Sequence, residues 1–330
     1  MGQKSNILKF EWTSSLLRDN LAGETNVRPV TAFVPTASGS FPVLFYLPPW
    51  THAGRAAFDW QPFKENLQAR LDRLIRSGSI PPVVVVAVDL FTRFGGSQFI
   101  DSTYFGPHGT ALVKELIPFV ETNLPVKKGP DFRGAFGRSS GGFGALRLAL
   151  DFPGHFSRIA CHAGDMGFDL LYGGDLVTLP NKLARYGADA SNYVSKVFSM
   201  PKISGGDIHL LMLLGMCGFY SPSIDTPLGY KIPIDLRSGI IDQNSWARWL
   251  EHDPIKVSAR QTAPFKDITS LFIDCGNRDQ YNLMYGARQL SALLKQRSVP
   301  HTYQEFDDDH SGTEYRYDVS LPELCRGWSS

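Results

Sequence analysis

The run Gly137-Arg138-Ser139-Ser140-Gly141-Gly142 lies between a short apolar stretch and a segment of small and apolar residues, and no other feature constrains the fold of this chain as strongly. Gly-x-Ser-x-Gly at a strand-to-helix junction is the pattern of a nucleophile elbow, a sharp turn that lifts a serine hydroxyl clear of the sheet. Strand and helix must then pass closely, which leaves almost no room for side chains at the flanking positions 137 and 141. Phe132 to Phe136 reads as the strand, and the stretch from Gly142 to Leu150 as a helix that ends near Pro153. Ser139 is expected above the sheet, at the positive end of that helix. A bare Gly-x-Ser-x-Gly often means only a flexible turn; the flanking elements favour the nucleophile.

The elbow belongs to a longer alternation. Asn6 to Trp12 and Val30 to Pro35 read as edge strands, and Pro42 to Leu47 is continuously apolar, as expected of a strand covered on both faces. A helix is expected from about Phe63 to Arg76, and Pro82 to Val88 is short and β-branched, hence a central strand. Residues 111–123 carry apolar side chains at helical spacing. Beyond the elbow, Arg158 to Ala163, Ile268 to Cys275 and His301 to Phe306 read as further strands. Strands alternating with helices imply a mostly parallel sheet with right-handed crossovers and helices on both faces.

The chain between the strand at 158–163 and the next is far longer than a crossover requires. A cap insertion over 166–255 is expected above the carboxyl ends of the strands, with residues 1–165 and 256–330 forming the core of a single catalytic domain. Its Leu, Met, Phe and Trp content suggests an apolar ceiling for a pocket; a cap that buries only its own small core is the plainer alternative.

Bulk properties exclude several partners. Among 330 residues, 43% are hydrophobic and 20% charged, with a net charge of +1, so there is no electrostatic footprint for nucleic acid or an anionic membrane. The longest apolar stretch, Leu210 to Phe219, is short and interrupted by Gly215 and Gly218, so it suits a buried or lid helix better than a bilayer. The residues Met1 to Asn6 lack a secretory pattern, so a cytoplasmic location is expected. Cys161, Cys217, Cys275 and Cys325 have neither zinc nor redox spacing and should be free thiols. No metal or organic cofactor is called for, and a homo-oligomer stays open.

A serine nucleophile needs a base, and the base an orienting acid, in the order Ser, Asp or Glu, His. The acid is sought just after the strand ending at Cys275, where Asp279 lies in Gly276-Asn277-Arg278-Asp279-Gln280-Tyr281. Asp274 is still inside that strand, and Asp165, after the preceding strand, is the alternative acid. The base is sought after the last strand, where His310 follows Asp307-Asp308-Asp309. His301 precedes that strand and should be structural; His162 reads as a core residue. An oxyanion hole needs two backbone N–H groups. Ser140 supplies one. After Leu47, Pro48 and Pro49 have none to give, so Trp50 is the first donor and Thr51 the next.

Gly137 to Ala145, Ile273 to Tyr281 and Asp309-His310-Ser311, with the strand end at Tyr46-Leu47, resemble the esterase D type of α/β-hydrolase. That broad esterase family includes S-formylglutathione hydrolases, feruloyl esterases, enterochelin esterases and antigen 85 relatives. The resemblance spans most of the chain outside the cap and implies Ser139 as nucleophile, Asp279 as acid, His310 as base and Trp50 as oxyanion donor. It implies a serine esterase for small-molecule esters; thioester hydrolysis of the S-formylglutathione type, acyl transfer and a catalytically silent ligand-binding fold are the alternatives.

Overall fold

Alternate residues of the central strands face two different cores, which is why those strands read as unbroken apolar runs. The computed structural model describes residues 5–328, so the first four residues, part of the stretch behind the cytoplasmic expectation, lie outside it. Eight strands form one sheet: β1 (Asn6–Thr13), β2 (Val27–Val34), β3 (Val43–Leu47), β4 (Val84–Val88), β5 (Arg133–Arg138), β6 (Arg158–His162), β7 (Ser270–Gly276) and β8 (Thr302–Phe306). Their spatial order is β1-β2-β4-β3-β5-β6-β7-β8. Pairings from β4 through β8 are parallel; β1 with β2 and β2 with β4 are antiparallel.

On one face Phe45 of β3, Val86 of β4 and Ile273 of β7 pack with the helix after the elbow, α3 (Ser140–Asp151). On the other, Tyr46, Val85 and Phe272 pack with α1 (Leu67–Arg76) and with the helix Tyr317–Leu324. A helix, α2 (Ile117–Asn123), continues a π turn at Leu112–Leu116 and joins the first face. Burying a side chain of this size stabilises the fold by roughly 1.5–3 kcal/mol, so both faces contribute.

Of the expected boundaries that move, two have a visible cause. The helix foreseen from Phe63 starts at Leu67, because the Asn66 side chain accepts the Ala69 N–H and caps it there. The elbow strand reaches Arg138, since its backbone continues pairing with β6 through His162. β2, foreseen at the edge, lies between β1 and β4.

Between β6 and β7 the chain forms several helices, the longest being α4 (Gly205–Tyr220), capped by Ser204 and Asp207 acting reciprocally. α4 is apolar nearly all round, as a helix enclosed by its neighbours should be. Its Leu213, Leu214 and Phe219 share a third core with Phe94, Phe105, Phe143, Tyr172 and Trp249, and with Trp50 from the loop after β3. α4 comes so close to Trp50 that a methyl at Gly215 would lie 2.8 Å from the indole ring.

Candidate active site

Ser139 occupies the junction of β5 and α3 with φ 55° and ψ −126°, a conformation strained for a residue with a side chain. Its N–H donates to the His162 carbonyl at 2.9 Å, and its own carbonyl accepts from Phe143 N–H at 2.9 Å. The neighbouring glycines are required by close approach. A methyl at Gly137 or Gly141 would overlap the Leu47 carbonyl oxygen at the end of β3, and one at Gly142 would lie 2.9 Å from the His162 oxygen.

His310 sits in the irregular segment after β8, and its Nδ1 shares a 2.7 Å hydrogen bond with Oδ2 of Asp279, from the loop after β7. Asp279 Oδ1 accepts the Tyr281 N–H at 2.9 Å, which orients the carboxylate, and the Tyr281 ring stands edge-on to the imidazole with centroids 4.9 Å apart. Ser139, Ser140, Trp50 and His310 all line one cavity of about 400 Å³. Leu171, Tyr172, Ile208, Met212 and Met216 supply its apolar side, and Lys64, Arg138, His52 and Glu314 its polar side.

Asp165, the alternative acid, also lines this cavity but binds other groups. Its Oδ2 accepts from Gln98 Nε2 at 3.0 Å and from the Tyr172 hydroxyl at 2.9 Å. Burial holds its carboxyl above the usual carboxylate range despite those two bonds. His310 is therefore joined to Asp279 and not to Asp165.

Of the two amides expected to face an oxyanion, that of Trp50 differs from the two that follow it in the chain. Thr51 N–H donates to the Gly95 carbonyl at 2.6 Å and His52 N–H to Pro49 at 3.1 Å, whereas the Trp50 N–H enters no backbone hydrogen bond among the described residues. Ser140, the first residue of α3, has an N–H with no carbonyl one turn back to accept it.

Asp274 belongs to a second chain of the same residue types. Its Oδ1 meets His162 Nδ1 at 2.7 Å, His162 Nε2 meets Ser320 Oγ at 2.8 Å, and Arg316 Nε donates to its Oδ2 at 2.9 Å. Ser320, at 0% exposure, and His162, at 1%, are sealed from solvent and line none of the cavities described. A hydroxyl out of reach of substrate cannot serve as nucleophile, so this chain ties β6, β7 and the carboxyl-terminal helix together. His301 bonds Ser291 through Nε2 at 2.9 Å, and all four cysteines are buried free thiols.

Several cavity residues were not singled out from sequence. Lys64 reaches the polar side from a loop 250 positions before Glu314 in the chain, a pairing no local pattern reveals. Outside the cavity wall, Gln280 had a signal: it adjoins Asp279, and its Oε1 accepts the His310 N–H at 3.0 Å. His209, on α4, lines the cavity and pairs with Asp175.

No group of three or more metal-ligating side chains is present among the described residues, and no helix described is long and apolar enough to cross a membrane. A 65-residue segment is 37% identical to "Esterase Rv1288" of Mycobacterium tuberculosis (strain ATCC 25618 / H37Rv); the match takes in 19% of this chain but only 14% of that relative's length. Among solved structures, a ferulic acid esterase superposes with a TM-score of 0.63 at 16% identity, covering 98% of each chain. An S-formylglutathione hydrolase from Agrobacterium tumefaciens superposes at 0.60 and 15%, covering 98% of this chain and 97% of that one. These likenesses establish the α/β-hydrolase fold. A family model described as "Putative esterase" matches residues 34–323, and the chain belongs to that esterase family.

Proposed function

We propose that this protein is a serine carboxylesterase that hydrolyses short to medium acyl or aryl esters through an acyl-serine intermediate. The observation that carries the reading is the 2.7 Å bond between His310 Nδ1 and Asp279, in a cavity also lined by Ser139 on its strained turn. Ser139 Oγ attacks the ester carbonyl while His310 takes its proton through Nε2. Asp279 holds the Nδ1–H tautomer and stabilises the imidazolium that forms. The N–H groups of Trp50 and Ser140 receive the developing oxyanion, each worth about 3 kcal/mol in the transition state. His310 then protonates the leaving alcohol, and water attacks the acyl-serine by the reverse path.

The segment 166–255 acts as a cap whose Leu171, Tyr172, Ile208, Met212 and Met216 receive the apolar part of the substrate. Thioester hydrolysis is the second reading, since the same groups serve a thiol leaving group and S-formylglutathione hydrolases share the fold. A cytoplasmic location fits the four free thiols.

A fluorophosphonate probe tests the nucleophile directly. It should label the protein at Ser139, and Ser139→Ala should lose both labelling and ester turnover while keeping its unfolding temperature; turnover that survives the substitution removes the proposal. A p-nitrophenyl ester chain-length series beside S-formylglutathione, with and without added alcohol, separates ester, thioester and acyl-transfer readings.

A further inference from the structure

His310 stands where no regular element holds it. Residues 307–312 run irregularly between β8 and the turn at Thr313–Arg316, so neither a strand ladder nor a helix fixes the peptide groups that carry the imidazole. Both polar groups of its main chain are nevertheless taken, each by a side chain from another part of the site. The N–H donates to Gln280 Oε1 at 3.0 Å, and the carbonyl accepts from Arg138 Nη1 at 2.8 Å.

The origins of those two side chains give the arrangement its meaning. Gln280 is the residue after Asp279, so the base is bound to the acid's loop through its backbone as well as through its ring. Arg138 is the residue before Ser139 and is 6% exposed at the end of β5. Its Nη2 donates to Glu314 Oε1 at 3.3 Å, four residues beyond His310. One planar fork thus grips the base segment at two points from the strand that bears the nucleophile. A lysine, with a single charged nitrogen, could not reproduce this two-point geometry.

We propose that Arg138 and Gln280 are positioning residues that fix the reach of the His310 imidazole toward Ser139. The inference rests on the esterase reading and adds to it the residues that set the distance between nucleophile and base. Misplacing a reacting group by about 1 Å costs on the order of 10²-fold in rate, so the effect of loosening this grip falls on kcat and leaves in place the apolar wall that receives the substrate.

The experiment compares wild type, Ser139→Ala, Arg138→Met, Arg138→Ala and Gln280→Ala, with p-nitrophenyl acetate as substrate and a fluorophosphonate as probe. Arg138→Met should lower kcat and the labelling rate together by about 10²-fold, with KM changed by no more than about threefold. Guanidinium ion should restore part of the kcat of Arg138→Ala and none of that of Ser139→Ala. Gln280 is exposed, so Gln280→Ala should fold normally; water can take the vacated place, and its kcat should fall by about tenfold, less than for Arg138→Met. If the Arg138 variants fail to fold, Gln280→Ala decides alone: a kcat and labelling rate equal to wild type overturn the proposal. So does a loss in Arg138→Met that appears in KM alone. A wild type that neither turns over the ester nor reacts with the probe would defeat the esterase reading itself, a result distinct from both.

Discussion

Gly141→Ala puts the tightness of the nucleophile turn to a quantitative test. A methyl built on Gly141 lies 2.7 Å from the Leu47 carbonyl carbon and 3.0 Å from the Pro48 oxygen, whereas carbon atoms in contact normally stand about 3.5–4.0 Å apart. The end of β3 must therefore retreat by about 1 Å. That end leads through Pro48 and Pro49 to Trp50, whose N–H is the proposed oxyanion donor, and a shift of this size corresponds to a rate loss on the order of 10²-fold. Overpacking adds about 1–3 kcal/mol of destabilisation. The assay pairs kcat/KM on a p-nitrophenyl ester with thermal unfolding. Gly206→Ala, in the first turn of α4, is the control: its methyl would meet only Lys182 Nζ at 3.6 Å and Ser204 Oγ at 3.8 Å. It should keep full activity and gain up to about 1 kcal/mol from helix propensity. Native rate and stability in Gly141→Ala would refute the reasoning.

Asp279→Asn should lower kcat by about 10⁴-fold, as loss of the orienting acid does in serine proteases, and Asp165→Asn far less; the opposite order, read from the same ester assay, would move the acid to Asp165. Ser320→Ala should leave fluorophosphonate labelling at Ser139 unchanged, and mass spectrometry that finds the probe on Ser320 of the wild type would contradict its sealed position. Burial lowers the His108 pKa from 6.5 to about 3, so the folded state keeps this ring neutral. Its stability contribution is complete above about pH 6.5 and is lost as pH falls toward 3. Urea unfolding at about pH 5 should show about 2 kcal/mol lost to this group relative to neutral pH. In His108→Asn that part of the pH dependence should disappear; an unchanged dependence would reject the assignment.

The sheet was legible because its central strands obey period two on both faces at once: Val43 and Phe45 go to one core, Leu44 and Tyr46 to the other, and both sets had to be apolar. The elbow was legible because close backbone approach admits only glycine at positions 137 and 141. Trp50 was reached as the proposed oxyanion donor by elimination, since two prolines precede it, and the structure adds that the next amide, of Thr51, is already bonded to Gly95. Local sequence favoured Asp279 but kept Asp165 as a competitor, because both follow strands that end on the same rim; the course of the loops brings Asp279 to His310. Within the 166–255 segment only Leu210 to Phe219 read as a buried or lid helix, and it lies in α4; being apolar nearly all round, an enclosed helix shows no stripe from which its face could be read. The Asp101–Ser102 and Gly106–Pro107 ladder, two residues on each side, is too short for any alternation to register.

Trp50 belongs to two structures at once. It lines the cavity together with Ser139, while its indole is a member of the aromatic cluster under α4 and fits against Gly215. Roof and machinery therefore cannot be redesigned independently. A chimera that grafted the roof of another esterase onto this scaffold would have to carry over a matching partner for the indole or, on the role proposed for the Trp50 amide, accept a slower catalyst. Tailoring the acyl preference is better begun at Met212 or Ile208, which border the cavity from the same helix without bearing on that ring's seat at Gly215.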